Sequence, residues 1–194
     1  LIRTSVLGFD MGGTPMELMN NPFIKLAGDS YVPFSGGEKM ATILFTLGKY
    51  LALLVFPHPL THDYYPRHIE IMNFGDPWVI MSLLAYSGLG YLAYWGWKTK
   101  KIYSFAILYF FATTSIISNI VFPIGTNMSE RFMFMPSLGF AMLVAYLFAE
   151  YLYPRISHKG VFVATAIVGL LFAGKTFTRN NVWKDDHTLF TTDV

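Results

Sequence analysis

Long apolar blocks separated by short polar loops occupy most of the chain beyond residue 76. A helix needs about 20 mostly apolar residues to cross the hydrocarbon core of a membrane, and it satisfies its backbone hydrogen bonds internally. The blocks therefore predict membrane-spanning helices. Their predicted bounds are residues 77–97, 102–122, 136–154 and 161–176. The last block includes Lys175, whose long side chain can extend to the membrane surface.

A fifth apolar segment, residues 39–57, carries Lys49 near its middle. A charge at bilayer depth is costly unless the side chain faces protein or water. In a helix, Thr42, Thr46 and Lys49 share one face, opposite an isoleucine- and leucine-rich face that includes Leu47. Two alternatives fit this pattern: a spanning helix beside a wet cavity, and a helix lying in the membrane interface.

The composition supports an all-α integral membrane protein with four or five membrane helices. Of the residues, 54% are hydrophobic, 18% are aromatic and 13% are charged, whereas soluble domains have about 25% charged residues. The net charge of +2 and the lack of a long basic run argue against nucleic-acid binding. The absence of cysteine excludes disulfides and thiolate catalysis. Because the chain begins without Met or a signal peptide, we expect an internal piece of a longer protein.

The basic residues predict how the helices are oriented. Loops 98–101 and 154–160 carry clustered Lys and Arg residues, and alternating spans place both loops on one side. Short basic loops are typical of the cytoplasmic side. Loops 57–76 and 123–135, with the tail after residue 175, are then predicted to face outwards, into a periplasm or an organelle lumen.

The two ends of the chain differ in character from the apolar blocks. Residues 1–38 are rich in Gly, Pro and Asn and are predicted to form an outward or interfacial loop region. Residues 177–194 are polar, with Trp183, Leu189 and Phe190 at helical spacing. This tail is predicted to begin an amphipathic helix that leads into an outward soluble domain.

A polar cluster occupies residues 56–70 in a predicted outward loop. His58 and His62 are four residues apart, which is a metal-ligand spacing on a helix, but prolines on both sides of His58 interrupt a helix and no HExxH motif is present. We therefore expect no metal here. A polar rim with aromatic anchors and a substrate-facing role for Asp63 and Tyr64 both fit the pattern.

An acid and a base, Glu130 and Arg131, stand at the outer end of the predicted third span. The planar guanidinium of arginine matches phosphate oxygens, so Arg131 is suited to a lipid-linked phosphate. Glu130 is suited to accept a sugar hydroxyl or to hold the guanidinium in place. A boundary ion pair without a ligand fits equally well. Lys49 is the second candidate for neutralising a phosphate.

Three motifs in order resemble those of the transmembrane and tetratricopeptide-repeat O-mannosyltransferase family and its bacterial relatives. They are NPFIKL (21–26), KYLALLVFPHPLTHDYYPRHI (49–69) and SERFMFMPSLGF (129–140). The tail NVWKDDHTLFTTDV (181–194) is similar to the family's junction with its tetratricopeptide repeats. The segment THDYY departs from the family's SxDY pattern by adding His62 while keeping Asp63.

The resemblance implies a GT-C-like helical bundle that transfers a sugar, typically mannose, from a polyprenyl-phosphate carrier to a protein Ser or Thr hydroxyl. The implied catalytic carboxylate belongs to a first outward loop upstream of Leu1, so no catalytic residue is assigned in this chain. No cofactor or metal is implied, because the lipid-linked sugar is a substrate. The positions assigned here to the donor phosphate are Arg131 and Lys49, and those assigned to the substrate cavity are Glu130, Asp63, Tyr64 and His62.

The implied location is a bacterial inner membrane or, alternatively, the endoplasmic reticulum membrane, with the site facing the periplasm or lumen. The implied partners are the lipid carrier, an acceptor protein and any protein that binds the repeat domain. Two other functions remain open. One is a non-catalytic membrane scaffold that anchors a repeat domain. The other is a lipid-linked sugar transporter, which would have related sets of spans, although no internal repeat is visible.

Overall fold

The computed structural model describes residues 21–61, 64, 68–121, 124–185, 187–188 and 191 of the 194-residue chain. Within these residues the fold is mostly helical, as the sequence predicts, and a β-hairpin precedes the helices. The hairpin strands are β1 (Ile24–Ala27) and β2 (Ser30–Pro33). The α-helices are α1 (Gly36–Val55), α2 (Pro77–Lys98), α3 (Ile102–Ile117), α4 (Phe134–Leu147) and α5 (His158–Asn180).

Short helical turns extend the last two helices. A 3-10 turn, Glu130–Met133, leads into α4, which continues through a π-helical turn (Phe148–Leu152) and a 3-10 turn (Tyr153–Arg155). A further 3-10 turn, Asn181–Lys184, follows α5. Leu189 and Phe190 of the predicted amphipathic tail helix lie outside the described residues.

The hairpin lies in the stretch that the sequence analysis assigns to loop. Its strands are antiparallel, with Ile24 opposite Pro33 and Ala27 opposite Ser30. A two-residue connection joins them, and Gly28 adopts a φ of +67° there, a conformation that glycine reaches without steric cost. Each strand has only four residues, which is too short for alternation to be recognised in the sequence.

The start of α1 is set by a capping box. The Ser35 side chain accepts a hydrogen bond from the backbone N–H of Glu38, and the Glu38 carboxylate accepts one from Ser35 N–H. Lys25 of β1 also donates to Glu38, at 2.6 Å. The Lys25 hydrogen bond, together with that from Ser35, holds the pKa of the Glu38 carboxyl below its usual value. The hairpin is thereby attached to the first turn of α1.

The polar face predicted for α1 faces protein. Thr42 and Thr46 are buried, and Lys49 is half-buried. The hydroxyls of the two threonines are hydrogen-bonded. Thr42 accepts from Met72 N–H at 3.1 Å, and Thr46 donates to the Ile43 carbonyl at 2.8 Å. Leu47, on the predicted opposite face, is also buried, so α1 packs through two faces.

In the described part of the chain, three helical segments are long and apolar enough to cross a membrane. They are Pro77–Lys98, Glu130–Arg155 and His158–Lys184. They contain the predicted spans 77–97, 136–154 and 161–176. The helix predicted over 102–122 is shorter, since α3 ends at Ile117 after 16 residues. By the same criteria of length and apolar composition, α1 is not among the candidate spans in the described part of the chain. Its two predicted placements, spanning beside a wet cavity or lying in the membrane interface, both remain predictions.

The early end of α3 has a local cause. Asn119 adopts a φ of +59°, a left-handed conformation that asparagine tolerates and a helix cannot continue through. Its side chain then accepts from Ile124 N–H at 2.9 Å and donates to the Thr126 carbonyl at 2.8 Å. These bonds replace helical ones and direct the chain towards the 3-10 turn that begins at Glu130.

Close helix contacts rest on small residues. Ser82 of α2 donates to the Leu44 carbonyl of α1, beside Gly48. Gly139 of α4 lies directly against the backbone of α3. A buried cluster then fills the space where α1, α3 and the turn before α4 meet. Its members are Phe23, Ile43, Leu47, Tyr50, Tyr64, Ile69, Phe110, Met128 and Met133.

Candidate functional site

Glu130 joins two distant parts of the chain. One carboxylate oxygen, Oε1, accepts the backbone N–H of Thr61 at 2.9 Å and the hydroxyl of Tyr64 at 3.0 Å. Thr61 and Tyr64 lie in the loop after α1, whereas Glu130 starts the turn before α4. Because a carboxylate forms stronger hydrogen bonds than a neutral acceptor, Glu130 fixes that loop against the head of α4.

Lys49 reaches the same cluster from α1. Its ammonium lies 4.7 Å from the centre of the buried Tyr64 ring, a cation–π distance. Burial lowers the pKa of the Lys49 amine, and the negative charge of Glu130 acts in the opposite direction. Lys49, Tyr64 and Glu130 therefore form one cluster, in which a single tyrosine contacts both a cation and an anion.

The cluster is anchored by a second tyrosine that follows Lys49 in α1. The Tyr50 hydroxyl donates to the Ser129 carbonyl at 3.2 Å and accepts the Ser129 N–H at 2.9 Å. Tyr50 and Ser129 are each 1% exposed, so these bonds satisfy backbone groups that water does not reach. They hold Ser129, the residue before Glu130, in place through its backbone.

Replacing Tyr50 with phenylalanine is expected to lower the free energy of unfolding by about 2–4 kcal/mol, because the Ser129 N–H and carbonyl are left buried without this partner. Thermal unfolding of the purified protein in one detergent measures the change. Tyr91→Phe is the matched control, since Tyr91 is 68% exposed. Equal unfolding midpoints for the two variants would contradict the anchoring role.

Arg131 has a different environment from its neighbour. Its side chain is exposed, and its guanidinium lies 5.5 Å from the centre of the Phe132 ring. Glu130 accepts hydrogen bonds from Thr61 and Tyr64 of the loop after α1. Because the Arg131 side chain is exposed, its guanidinium is accessible to a ligand. Its predicted role at a phosphate stays a prediction.

The structure brings together only some of the predicted site residues. Lys49, Tyr64 and Glu130 are in one cluster, as described above. His62 and Asp63 lie outside the described residues, and their placement in the cavity stays a prediction. Thr61 belongs to the motif at residues 49–69, but nothing in the sequence assigns it a function. It contacts Glu130 through its backbone N–H, and the identity of a side chain does not predict such a contact.

An apolar groove of about 730 Å³ runs between α1 and α2 beside this cluster. Lys49 and Ser82 lie on its wall, and His58 lies at the loop that follows α1. The rest of the lining is apolar apart from backbone, and includes Phe45, Leu51, Leu53, Met72, Trp78 and Met81. A mostly apolar groove with a few polar groups is typical of small-molecule sites.

Comparison with known proteins agrees with the motifs. The chain is 38% identical over 78 residues to Protein O-mannosyl-transferase TMTC3 of Homo sapiens, covering 38% of this chain and 8% of the relative. It is 41% identical over 80 residues to Protein O-mannosyl-transferase Tmtc3 of Drosophila melanogaster, covering 40% and 8%. The chain is distantly similar, over part of its length, to protein O-mannosyl-transferases.

A more divergent relative shows the same extent of similarity. Protein O-mannosyl-transferase tmtc2 of Xenopus laevis is 33% identical over 81 residues, which are 40% of this chain and 10% of the relative. The matched segment thus spans a tenth or less of these curated relatives. No family model and no solved structure matches the chain. The resemblance predicted from the three motifs is confirmed as a partial one.

Proposed function

We propose that this chain forms part of a membrane glycosyltransferase that transfers a sugar, mannose, from a polyprenyl-phosphate carrier to a protein Ser or Thr hydroxyl on the outward face. The observation that carries the proposal is the contact of Lys49 and Glu130 with one tyrosine, Tyr64. This contact joins the motifs at residues 49–69 and 129–140, which resemble those of the O-mannosyltransferase family. The partial similarity to such enzymes supports the same function.

The groove between α1 and α2 supplies a place for the donor. Its apolar lining suits a polyprenyl chain, while the Lys49 ammonium on its wall suits the phosphate. Lys49 is only half-buried, so its ammonium can reach a ligand. Arg131 adds a second cation, an exposed guanidinium that can form paired hydrogen bonds with phosphate oxygens.

The reaction would be a displacement at the anomeric carbon. The acceptor oxygen forms a bond to that carbon as the bond to the phosphate oxygen breaks, and a carboxylate takes the hydroxyl proton. The lipid phosphate leaves with the electron pair, and Lys49 and Arg131 stabilise its negative charge. Glu130 positions Tyr64 and, through it, the Lys49 ammonium. The base is expected in a first outward loop, as the family resemblance implies.

Two charge-removing variants test the proposal in the full-length protein in membranes. Lys49→Gln and Arg131→Ala are each expected to lower sugar transfer to an acceptor peptide by about a hundredfold or more, because each removes a donor to the leaving phosphate. Asp63→Asn is expected to abolish transfer as well. Transfer is measured with a polyprenyl-phosphate-linked mannose and a Ser/Thr peptide.

The matched controls carry the same changes at the opposite membrane surface. Lys101→Gln and Arg155→Ala alter exposed residues on the predicted cytoplasmic side, so transfer should stay within about twofold of the wild type. Unchanged transfer in Lys49→Gln and Arg131→Ala, with normal membrane folding, would overturn the donor-site assignment. A full-length protein that binds partners yet transfers no sugar would favour the scaffold.

A further inference from the structure

A lysine and a histidine meet at a second place, away from the Lys49 cluster. The Lys175 ammonium of α5 lies 3.3 Å from Nδ1 of His58, in the loop after α1. Both side chains are accessible, with His58 exposed and Lys175 partly exposed. The contact joins the loop after α1 to α5, and the two residues are 117 positions apart in the sequence.

Several N–H groups of Lys175 and His58 take no part in the contact between the two side chains. An ammonium group can only donate, so Nδ1 of His58 accepts and the ring proton of a neutral imidazole lies on Nε2. Lys175 then has two further N–H donors, and His58 has one. Within the described residues, the ion pair found is Lys25–Glu38 at the hairpin, so no described carboxylate neutralises Lys175. An anion would complement these donors.

An apolar cleft of about 510 Å³ opens beside the pair, between the end of α1 and α5. Apart from His58 and Lys175, its walls are Val55, Phe56, Pro57, Val168, Leu171 and Phe172. A polar edge that carries an ammonium, beside an apolar cleft, matches a molecule with an anionic head and a hydrocarbon chain. Lys49, Tyr64 and Glu130 do not line this cleft.

The position of the pair along α5 matches a lipid head group. Lys159 and Lys175 lie near opposite ends of this candidate span, and their 16-residue separation corresponds to about 24 Å of helix. The hydrocarbon core of a bilayer is about 30 Å thick, and lysine side chains extend towards its surfaces. In a membrane crossed by α5, Lys175 would reach the head groups on the side predicted to face outwards, and Val168 and Phe172 would lie at the depth of the acyl chains.

We propose that the cleft binds one anionic phospholipid of the surrounding membrane. Its phosphate would contact Lys175 and His58, and one acyl chain would lie between the end of α1 and α5. No residue of α5 is buried within the described part of the chain, which makes the cleft directly accessible to bilayer lipid. Competition with polyprenyl phosphate distinguishes a bulk phospholipid from the sugar carrier. The bound lipid would fasten α5 to the loop after α1.

The test uses the full-length protein in nanodiscs of phosphatidylcholine mixed with phosphatidylglycerol, followed by native mass spectrometry of the released protein. The wild type is expected to retain phosphatidylglycerol in preference to phosphatidylcholine. Lys175→Gln should lower that retention by about tenfold or more, because a charge-assisted contact to phosphate is lost. His58→Leu should also lower it, whereas Lys175→Arg should retain the lipid.

Lys159→Gln is the matched control, since it removes a lysine from the other end of the same helix and should leave this retention unchanged. Equal retention by Lys175→Gln and Lys159→Gln, or equal retention of the two lipids, would overturn the proposal. So would displacement of phosphatidylglycerol by added polyprenyl phosphate at matched concentration, because the cleft would then take the carrier. Sugar transfer is tested separately through Lys49 and Arg131, which do not line this cleft. His58 also lines the groove proposed for the sugar carrier, so Lys175→Gln, and not His58→Leu, is the variant that separates the two proposals.

Discussion

Glu130→Ala is expected to lower the free energy of unfolding by about 3 kcal/mol. The substitution removes the carboxylate that accepts from Thr61 N–H and Tyr64 hydroxyl, and a hydrogen bond to a charged group contributes about 1.5–3 kcal/mol. It also takes away the negative charge that acts on Lys49. Unfolding of the purified protein in a single detergent measures the loss, and Glu130→Gln, which keeps an acceptor oxygen, should lose less.

A double-mutant cycle isolates the Glu130–Tyr64 contact. Tyr64→Phe removes the hydroxyl and keeps the ring beneath Lys49, so the two changes together should cost less than their sum by about 1–2 kcal/mol. Glu150→Ala is the matched control, since Glu150 is an exposed carboxylate at the other end of the same helical segment. Additive losses in the cycle, or equal losses at positions 130 and 150, would contradict the positioning role.

The same variants separate the two roles that the sequence leaves open for Glu130. If Glu130 only positions the loop, transfer and stability should fall together across Glu130→Gln and Glu130→Ala. If it also contacts a sugar hydroxyl, Glu130→Gln should lose transfer while it keeps most of its stability. Parallel measurement of transfer and unfolding therefore distinguishes the roles.

Gly139→Ala is expected to destabilise the protein by about 1–3 kcal/mol, the usual cost of overpacking a tight contact. A Cβ at this position would lie 2.9 Å from both the Ala106 carbonyl oxygen and the Phe110 nitrogen, which are backbone atoms of α3. Backbone of a packed helix cannot move aside as a flexible side chain can. This cost should exceed the gain of about 1 kcal/mol that alanine brings to a helix interior.

Gly169→Ala provides the control for this second prediction. Gly169 lies within α5, and a Cβ there would meet nothing within 4 Å. The same substitution should therefore be neutral or stabilising by up to about 1 kcal/mol. Thermal unfolding of both variants gives the comparison. An equal stabilisation at the two positions would show that α3 and α4 do not pack as closely as described.

Most helix positions could be predicted from local sequence. The span predicted over 77–97 corresponds to α2, Pro77–Lys98, and that over 161–176 lies within α5, His158–Asn180. Long apolar runs are recognisable because every apolar residue in the run raises the mean hydropathy of the same segment. The end of α3 was missed, since the left-handed conformation of Asn119 and its bonds to the following loop form only in the folded chain.

The candidate site was predicted only in part. The family resemblance pointed to Glu130 and Tyr64, and the cost of a charge in an apolar helix pointed to Lys49. Their mutual contact was not predicted, nor was the bond between Tyr50 and Ser129. The sequence also left open a boundary ion pair of Glu130 with Arg131, whereas in the structure Glu130 is half-buried in a cluster with Tyr64 and Arg131 is exposed.

By itself, the sequence determined that the chain is mostly helical, where its longest apolar helices lie and which motifs resemble O-mannosyltransferases. Run length, backbone hydrogen bonding and motif order are local properties, so they can be read along the chain. Only the tertiary structure decided that Glu130 contacts Tyr64 across 66 residues and that Lys175 contacts His58 across 117. Such pairs depend on which helix faces meet, and packing sets that choice through close contacts such as that of Gly139 with α3.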